Sequence, residues 1–467
     1  MRKSPTSSKQ LDLLTSLPSN EVIKMKANNL RHVFTFIILM TAMGLYAQTE
    51  KTNEFSLDAQ LVTRGELRAG GFKADSLDKY RRSQFILGKY RITADYKRSW
   101  LEVKLSPQFS GIWGQGAATI SLYEGWANLQ SKNGFFAKIG RQELDYDNGR
   151  IIGNDDWTMT APTHDVLKLG YDGESHKVHL MAAYNQDADN MENGNQYYSG
   201  GLQPYKTMQN LWYHFDTPKK MFGISLVGMN IGMQSVRQEE TDVTYFQQLV
   251  GTYMAFRPKY WSLEGEFYYQ MGKQEHGLPV DAFMGSVKAN VNPSEKYGFS
   301  AGYDYLSGDK FFAIPADGHF GMVQHDKIRG FSAIFGSHHE FYGAMDFFYL
   351  KNYYHGFTPG LQNLYVGGNV KPVDGLSLNA AYHYYAIATD LEYLDSKTLG
   401  HEIDFSASYA FSNAVSVSAG YTYMHGTETM VILQQIQEVT EQRNLHWGWL
   451  MLSVKPTLFN TIWQDKK

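Results

Sequence analysis

Hydrophobic and polar residues alternate along most of the chain after position 50. In the stretch WSLEGEFYYQ, residues 261–270, the odd positions are apolar, aromatic or glycine, and the even positions include Glu264 and Glu266. Side chains of a β-strand point to opposite faces in turn, so this stretch has one apolar and one acidic face. Such a strand belongs either to a soluble sheet with its apolar face inward, or to a membrane barrel with its apolar face in lipid and its acids in the lumen.

The same two-residue period recurs in other segments, and no segment shows a sustained helical period. The clearest examples are EFSLDAQLVTRGELR (54–68), WLEVKLSPQFS (100–110), GLSLNAAYHYY (375–385), HEIDFSASYAF (401–411) and AVSVSAGYTYM (414–424). Repeated alternation of this kind predicts β-strands. The chain is therefore expected to be all-β.

The connections between these segments alternate strictly between short turns and longer loops. Short polar turns are expected at 96–99, 131–134, 172–175, 216–220, 257–259, 292–296, 371–375 and 412–414. Loops rich in Gly, Asp and Asn are expected near 70–80, 113–119, 143–164, 186–207, 233–246, 272–281, 307–360, 388–400 and 426–444. This layout predicts a transmembrane antiparallel β-barrel of about 18 strands, with short periplasmic turns and long extracellular loops.

One segment does not fit this alternation. Residues 341–350 look strand-like, but a strand there would break the order of turns and loops. We therefore place the segment inside loop 307–360, which is either extracellular or folded into the pore.

Composition agrees with a barrel and excludes several other classes. The chain has 467 residues, no cysteine, 15% aromatic residues including 32 Tyr, and a formal net charge of −4. Absence of cysteine excludes disulfides, thiolate metal sites and a cysteine nucleophile. The mean hydropathy of −0.40 excludes a protein of many transmembrane helices, whereas in a barrel only alternate residues meet lipid. No basic tail or patch points to nucleic acid.

A short apolar run near the start predicts a secretory leader. The run VFTFIILMTAMGLYA, residues 33–47, follows Lys26 and Arg31 and leads into Gln48. A basic start, a short apolar core and a small final residue are typical of a signal peptide, and the run is short for a membrane anchor. We expect a signal peptide over 1–47, with cleavage near Ala47/Gln48 and a single barrel over 48–467. We interpret residues 1–24 as a start-site artefact upstream of Met25.

Four motifs carry a resemblance to a known family. They are GRQELDYDNGRIIGNDDW (140–157), YDYLSGD (303–309), FGSHHEFYGAMDFF (335–348) and LGHEIDFSASY (399–409). Together and in this order they resemble the alginate-export family of outer-membrane porins, and the third resembles members from the Bacteroidetes. The resemblance implies an 18-stranded barrel in the outer membrane of a Gram-negative bacterium, without enzyme activity, that passes an anionic polysaccharide through a basic constriction.

The resemblance also implies which side chains would line the pore. It makes Arg64, Arg68, Arg82, Arg141 and Arg150 candidate lumen cations, and alternation independently supports the first two. Alternation adds Glu66, Glu102, Lys104, Glu264 and Glu266 as candidate pore-lining residues. The family often has an arginine soon after the motif tryptophan, but here Ala161–Asp165 contains none. That departure weakens the expectation of a strongly basic pore.

Three functional classes follow, and the first is favoured. The first is a passive porin for sugar-like or anionic oligosaccharide and polysaccharide solutes. The second is an outer-membrane barrel enzyme, although no catalytic motif is present and Glu264 and Glu266 read as hydrated lumen charges. The third is a structural barrel with a closed lumen. We expect no cofactor and no metal, and we expect outer-membrane lipid, lipopolysaccharide and the barrel-assembly machinery as partners.

The leader can be tested on protein isolated from outer membranes. We expect the mature chain to begin near Gln48, because the small residue Ala47 ends the apolar run. Intact mass spectrometry measures this directly. A mass that retains residues 1–47 would show the leader assignment to be wrong.

Overall fold

A computed structural model describes most of the chain after position 51. The described residues are 52–69, 82–116, 119–186, 198, 203–237, 239–240, 242–310, 326–348, 358–392, 394–433 and 443–464. The expected leader lies outside them.

Nineteen strands account for most of the described residues. They are β1 (Thr52–Ala69), β2 (Ser83–Arg98), β3 (Leu101–Ile112), β4 (Thr119–Gln130), β5 (Phe135–Gln142), β6 (His164–Asp172), β7 (His176–Tyr184), β8 (Thr207–Asp216), β9 (Phe222–Gln234), β10 (Thr244–Phe256), β11 (Trp261–Lys273), β12 (Pro279–Ser294), β13 (Tyr297–Leu306), β14 (Leu361–Val370), β15 (Leu376–Ala386), β16 (Thr398–Ala410), β17 (Val415–Gly426), β18 (Asn444–Val454) and β19 (Thr457–Gln464).

The strands form one antiparallel sheet that closes on itself. Each strand pairs with its neighbours in chain order, and β1 pairs with β2 on one edge and with β18 and β19 on the other. Only Lys455 and Pro456 separate β18 from β19, and both strands lie along β1, so together they form one crossing with an irregularity at the proline. The barrel therefore has 18 crossings, which confirms the predicted fold class. Closure leaves no free sheet edge, as a membrane-spanning sheet requires.

The two faces of the strands are arranged as the alternation predicts. Apolar side chains point outward and are exposed, as at Leu67 (58% exposed), Phe267 (50%) and Ile139 (61%). Polar neighbours on the same strands, such as Glu66 and Glu266, point inward and are buried. A soluble protein would bury the first set and expose the second. The strand that contains residues 261–270 thus has its apolar face toward lipid and its acids in the lumen.

The predicted short turns are all present between consecutive strands at one end of the barrel. Local backbone geometry explains why they are tight. Gly134 closes the turn between β4 and β5 with φ of +88°, and a Cβ atom there would lie 2.4 Å from the carbonyl oxygen of Asp172. A residue with a side chain fits that position poorly.

Helices are few among the described residues. They are one α-helix, α1 (Glu428–Leu433), and two 3₁₀ turns, Pro218–Lys220 and His338–Glu340. None of the helices in the described ranges is long and apolar enough to span a bilayer.

The direction of insertion gives a testable prediction. An epitope inserted next to Glu428, at the long-loop end, should be labelled on intact cells, whereas the same epitope next to Pro218 or Pro372, in short turns, should need permeabilised cells. The reason is that outer-membrane barrels keep their short turns in the periplasm. Labelling of the Pro218 or Pro372 insertions on intact cells would reverse the orientation.

Candidate functional site

The loop between β5 and β6 crosses the lumen from one wall to the other. We call residues 143–163 the crossing loop. On one side, Asp147 accepts hydrogen bonds from the Trp212 indole on β8, at 3.2 Å, and from the Ser225 hydroxyl on β9. Six crossings from β8, Asp156 accepts hydrogen bonds from Lys89 and Arg91 on β2, both at 3.0 Å. Because the strands at the two ends lie in different parts of the barrel wall, the loop divides the lumen.

The strongest attachment of the crossing loop is a buried ion triad. The Arg150 guanidinium contacts the Glu266 carboxylate of β11 at 2.6 Å and the Asp304 carboxylate of β13 at 3.0 Å. All three side chains are almost completely buried. The faces of Phe341 and Tyr342 lie 4.1 and 5.2 Å from the guanidinium carbon. The triad therefore joins one loop arginine to two strands and to the loop that precedes β14.

That second loop, residues 307–360, packs on the crossing loop inside the barrel. We call it the long loop, and the structure describes its residues 307–310, 326–348 and 358–360. The Gly153 amide donates to the Phe335 carbonyl at 2.8 Å, and the Ser337 amide donates to the Gly149 carbonyl at 2.8 Å. Farther along, the Met345 amide donates to Glu402 of β16 at 3.1 Å. Residues 341–348, which looked strand-like in the sequence, are irregular here and lie against β15 and β16.

An apolar cluster fills the space between the two loops and the wall. Its members come from the crossing loop, the long loop and inward positions of the strands, and they include Leu144, Ile151, Ile152, Phe331, Phe335, Phe347, Phe348, Met229, Ile231 and Met284. Burial of this much apolar surface stabilises the loops in the lumen.

Aromatic side chains join the tip of the crossing loop to β1 and β18. The Trp157 ring stacks on His339 of the long loop, with centroids 4.3 Å apart. The Arg64 guanidinium carbon lies 3.9 Å from the centre of the Trp157 ring, and the same guanidinium donates to the Trp157 carbonyl at 3.0 Å. Trp449 of β18 meets the Trp157 ring edge-on at 4.9 Å. Arg64 thus serves as an anchor for a loop.

The three candidate residues on β1 form one ion-pair group. Glu66 contacts Arg64 at 2.9 Å and Arg68 at 2.7 Å, and it accepts a hydrogen bond from the Trp447 indole at 3.0 Å. All three side chains face inward, as predicted. Because one carboxylate serves two arginines and Trp157 covers Arg64, the remaining positive charge of this group lies mainly on Arg68, whose side chain is 35% exposed.

The candidates on β3 and β11 also face inward but interact differently. Lys104 contacts Glu124 of β4 at 3.2 Å, and Glu102 lines a cavity near the short-turn end. Glu264 accepts hydrogen bonds from the Tyr253 hydroxyl at 2.8 Å and from the Asn290 amide at 3.2 Å. Glu264 and Glu266 are thus held in separate hydrogen-bonded sets and share no partner.

Two candidate arginines do not line the lumen. Arg141 follows the exposed Ile139 on the outer face of β5 and makes an ion pair with Asp165 of β6 at 2.8 Å. The prediction for Arg141 is therefore corrected, since the two-residue period puts it on the same side as Ile139. Arg82 immediately precedes β2 at the long-loop end and is exposed, which places it at the rim.

Two cations that face the lumen were not among the residues predicted from the sequence. Lys138 of β5 and Lys168 of β6 are direct cross-strand partners on the inner face. Among the described residues, neither has a carboxylate within ion-pair distance; the Lys138 ammonium lies 3.5 Å from the centre of the Trp126 ring. They line a cavity of about 300 Å³ with Glu102, Asn128, Asp172 and His179. Alternation in FFAKIGRQ and HDVLKLGYD could have placed both inward, but only the register shows that they are opposite one another.

Burial and neighbouring charges shift the pKa values of two adjacent carboxyl groups at the tip of the crossing loop in opposite directions. Burial raises the pKa of Asp155 to about 6, and one of its carboxylate oxygens has no hydrogen-bond partner in the described part of the chain. Burial also acts on Asp156, but Lys89 and Arg91 outweigh it and hold the pKa of that carboxyl below its usual value. At neutral pH Asp156 is therefore a stable anchor, whereas an ionised Asp155 destabilises the packed loops.

Asp155 gives a pH prediction with a definite sign. Because its pKa is higher in the folded protein than in the unfolded chain, stability should fall as pH rises from about 4 through 6. We expect Asp155→Asn to match the wild type in unfolding temperature at pH 4.5 and to exceed it at pH 7.5. Thermal unfolding followed by heat-dependent gel migration measures the difference. A difference that stays constant over this pH range would contradict the assignment.

In the described ranges, no group of three or more His, Asp and Glu side chains could hold a metal ion.

Comparison with known proteins gives a sequence match and a structural match. A sequence profile described as alginate export matches residues 116–426, about two thirds of the chain. No curated protein matches the chain in sequence.

Solved structures of Pseudomonas aeruginosa proteins share the fold. OccK9 (OpdG) matches with a TM-score of 0.57 at 11% identity, covering 86% of this chain and 98% of that one. OpdQ matches with a TM-score of 0.57 at 11% identity, covering 87% and 98%. The outer membrane protein OprD matches with a TM-score of 0.55 at 12% identity, covering 86% and 94%. At these identities the likeness concerns the fold.

Proposed function

This chain belongs to the alginate-export family, and we propose that it is a passive outer-membrane channel for sugar-like or anionic oligosaccharide solutes. Family membership and the porin-type barrel support a channel. The charge distribution of the lumen supports the choice of solute. Alginate itself is one anionic candidate among others.

The observation that carries the proposal is the lysine pair on β5 and β6. Like charges on directly opposite cross-strand positions repel each other. Lys138 and Lys168 are half-buried, and no carboxylate of the described residues lies within ion-pair distance of either, so more distant acids such as Glu124 and Asp172 offset this repulsion only in part. An anionic group of a solute in the adjoining cavity would relieve it. The pair is therefore the best candidate for a lumen site that attracts anions.

The other inward arginines contribute less to the attraction. Arg64 and Arg68 share Glu66, and Arg150 lies between Glu266 and Asp304. Glu66 offsets one of the two positive charges on β1, Glu266 and Asp304 offset that of Arg150, and Arg64 and Arg150 act mainly in holding the loops. We therefore assign the anion preference to Lys138 and Lys168 and expect the preference to be modest.

Reversal potential under a potassium chloride gradient tests this assignment in a planar bilayer. The wild-type channel should prefer anions, because cationic side chains that line a pore favour them. Lys138→Gln with Lys168→Gln should shift the reversal potential toward cations, and more so at low salt, where screening is weak.

A matched control removes two positive charges outside the lumen. Lys132→Gln with Lys219→Gln alters exposed short turns and should leave the reversal potential unchanged. A strongly cation-selective wild type, or no shift in the Lys138 and Lys168 variant, would rule out the anionic solute. A folded barrel that carries no current would favour the structural barrel with a closed lumen, because the two packed loops occupy much of the lumen.

The outward apolar surface supports residence in the outer membrane, where lipid and lipopolysaccharide would surround the barrel. Outward residues such as Ile120, Phe299 and Leu450 are at least 60% exposed. A soluble protein would expose so apolar a surface only at the risk of aggregation. Recovery of the folded chain in the outer-membrane fraction is the expected result, and recovery in the soluble periplasmic fraction would contradict it.

A further inference from the structure

Near the short-turn end, the lumen wall opposite the lysine pair carries neutral amide side chains instead of cations. In an 18-crossing barrel, β14 and β15 lie nine crossings away from β5 and β6, which is the far side of the lumen. Inward positions of this wall carry Asn292 of β12, Asn369 of β14 and Asn379 of β15, and all three side chains are exposed. We call these three residues the asparagine wall.

Two adjoining cavities meet at the asparagine wall. One is about 750 Å³ and the other about 350 Å³, and Asn292, Asn369 and Asn379 line both. Charged side chains such as Lys259 and Lys371 lie at the rim of the larger cavity, and Lys288 lies at the inner end of the smaller one. The surface between them is neutral and polar.

The amides of the wall retain capacity for hydrogen bonds. Each Asn side chain offers two donors and one acceptor oxygen with two lone pairs. Asn379 uses one donor toward the Ser406 hydroxyl at 3.2 Å. Within the described residues, the side chains of Asn292 and Asn369 make no hydrogen bond. Most of the donors and acceptors on this wall are therefore open to a solute.

Small residues recess the wall and bring the amides together. Gly298 lies between Asn292 and Asn369, and a Cβ atom there would lie 2.3 Å from the Asn292 side-chain oxygen and 3.1 Å from the Asn369 side-chain nitrogen. Two amide ends thus converge over a glycine, on a surface further opened by Gly367. Any larger residue at 298 would push these amides apart.

We propose that the asparagine wall binds the uncharged hydroxyl face of a sugar chain. Closely spaced neutral donors and acceptors match the hydroxyl groups of a pyranose ring, which also donate and accept. The wall would hold the hydroxyl edge of a glycan while Lys138 and Lys168, on the opposite side of the lumen, attract its acidic groups. This inference rests on the proposed channel function and adds a site for neutral sugar to it.

Block of the ion current by a neutral oligosaccharide tests the proposal. Maltohexaose added at the short-turn side of a planar bilayer should interrupt the wild-type current in resolvable events. Asn292→Leu, Asn369→Leu and Asn379→Leu combined should weaken the block about tenfold or more, since several hydrogen bonds are lost while side-chain size is kept. The three corresponding Asn→Gln replacements keep the amides and should retain most of the block.

The matched control is Asn230→Leu, which changes an asparagine on the outer face of β9 that bonds to Gln209. It should leave the block unchanged. A wild-type channel that conducts but is not blocked by maltohexaose, or a block equally strong in the triple Leu variant, would show that the asparagine wall does not bind sugar. Either result would leave the proposed channel function standing. A protein that carries no current would instead count against the proposed function itself.

Discussion

The arrangement of the lumen depends on one buried arginine. Arg150 comes from a loop, yet its guanidinium lies between carboxylates of β11 and β13, where it is almost completely buried. Removing one partner from a buried ion pair costs about 3–5 kcal/mol, because the remaining charge stays buried and uncompensated. The crossing loop therefore cannot leave the lumen without exposing or stranding these charges. Its path fixes where the long loop packs and which part of the lumen stays open.

Charged side chains in the lumen have two different roles. Some charged groups that have an ion-pair partner hold loops against the wall: Arg64, which is paired with Glu66, binds Trp157, and Lys89 and Arg91 bind Asp156. Lys138 and Lys168, which have no ion-pair partner among the described residues, face one cavity near the short-turn end. Paired charges hold loops in position, whereas charges without a close partner produce an electric field that attracts or repels a solute. A count of lumen arginines alone therefore says little about selectivity.

The barrel could be predicted from the sequence because the features that specify it involve residues close together in the chain. Alternation with period two, as at Glu264 and Phe267, determines which side chain meets lipid, and the lengths of turns and loops determine the topology. The same reasoning placed Arg64, Glu66 and Glu266 in the lumen. The parity of Ile139 already argued against a lumen position for Arg141, which the family resemblance suggested.

The sequence could not predict the partners of these charges. The contact of Arg150 with Asp304 joins residues far apart in the chain, and it depends on how an irregular loop folds inside the barrel. The register that sets Lys138 beside Lys168, or brings Asn292 and Asn369 together over Gly298, likewise depends on strand pairing. Alternation shows on which face a side chain lies, but it does not show what that side chain meets.

Single-channel conductance of Arg150→Met tests most directly whether the buried triad fixes the lumen. The variant keeps much of the side-chain volume but removes the charge that Glu266 and Asp304 require. We predict a larger and noisier open-channel current than in the wild type, from a barrel that still shows heat-dependent gel migration. Arg141→Met, which breaks an ion pair on the outer face, should leave the current unchanged. A folded Arg150→Met channel with wild-type conductance and noise would contradict the account.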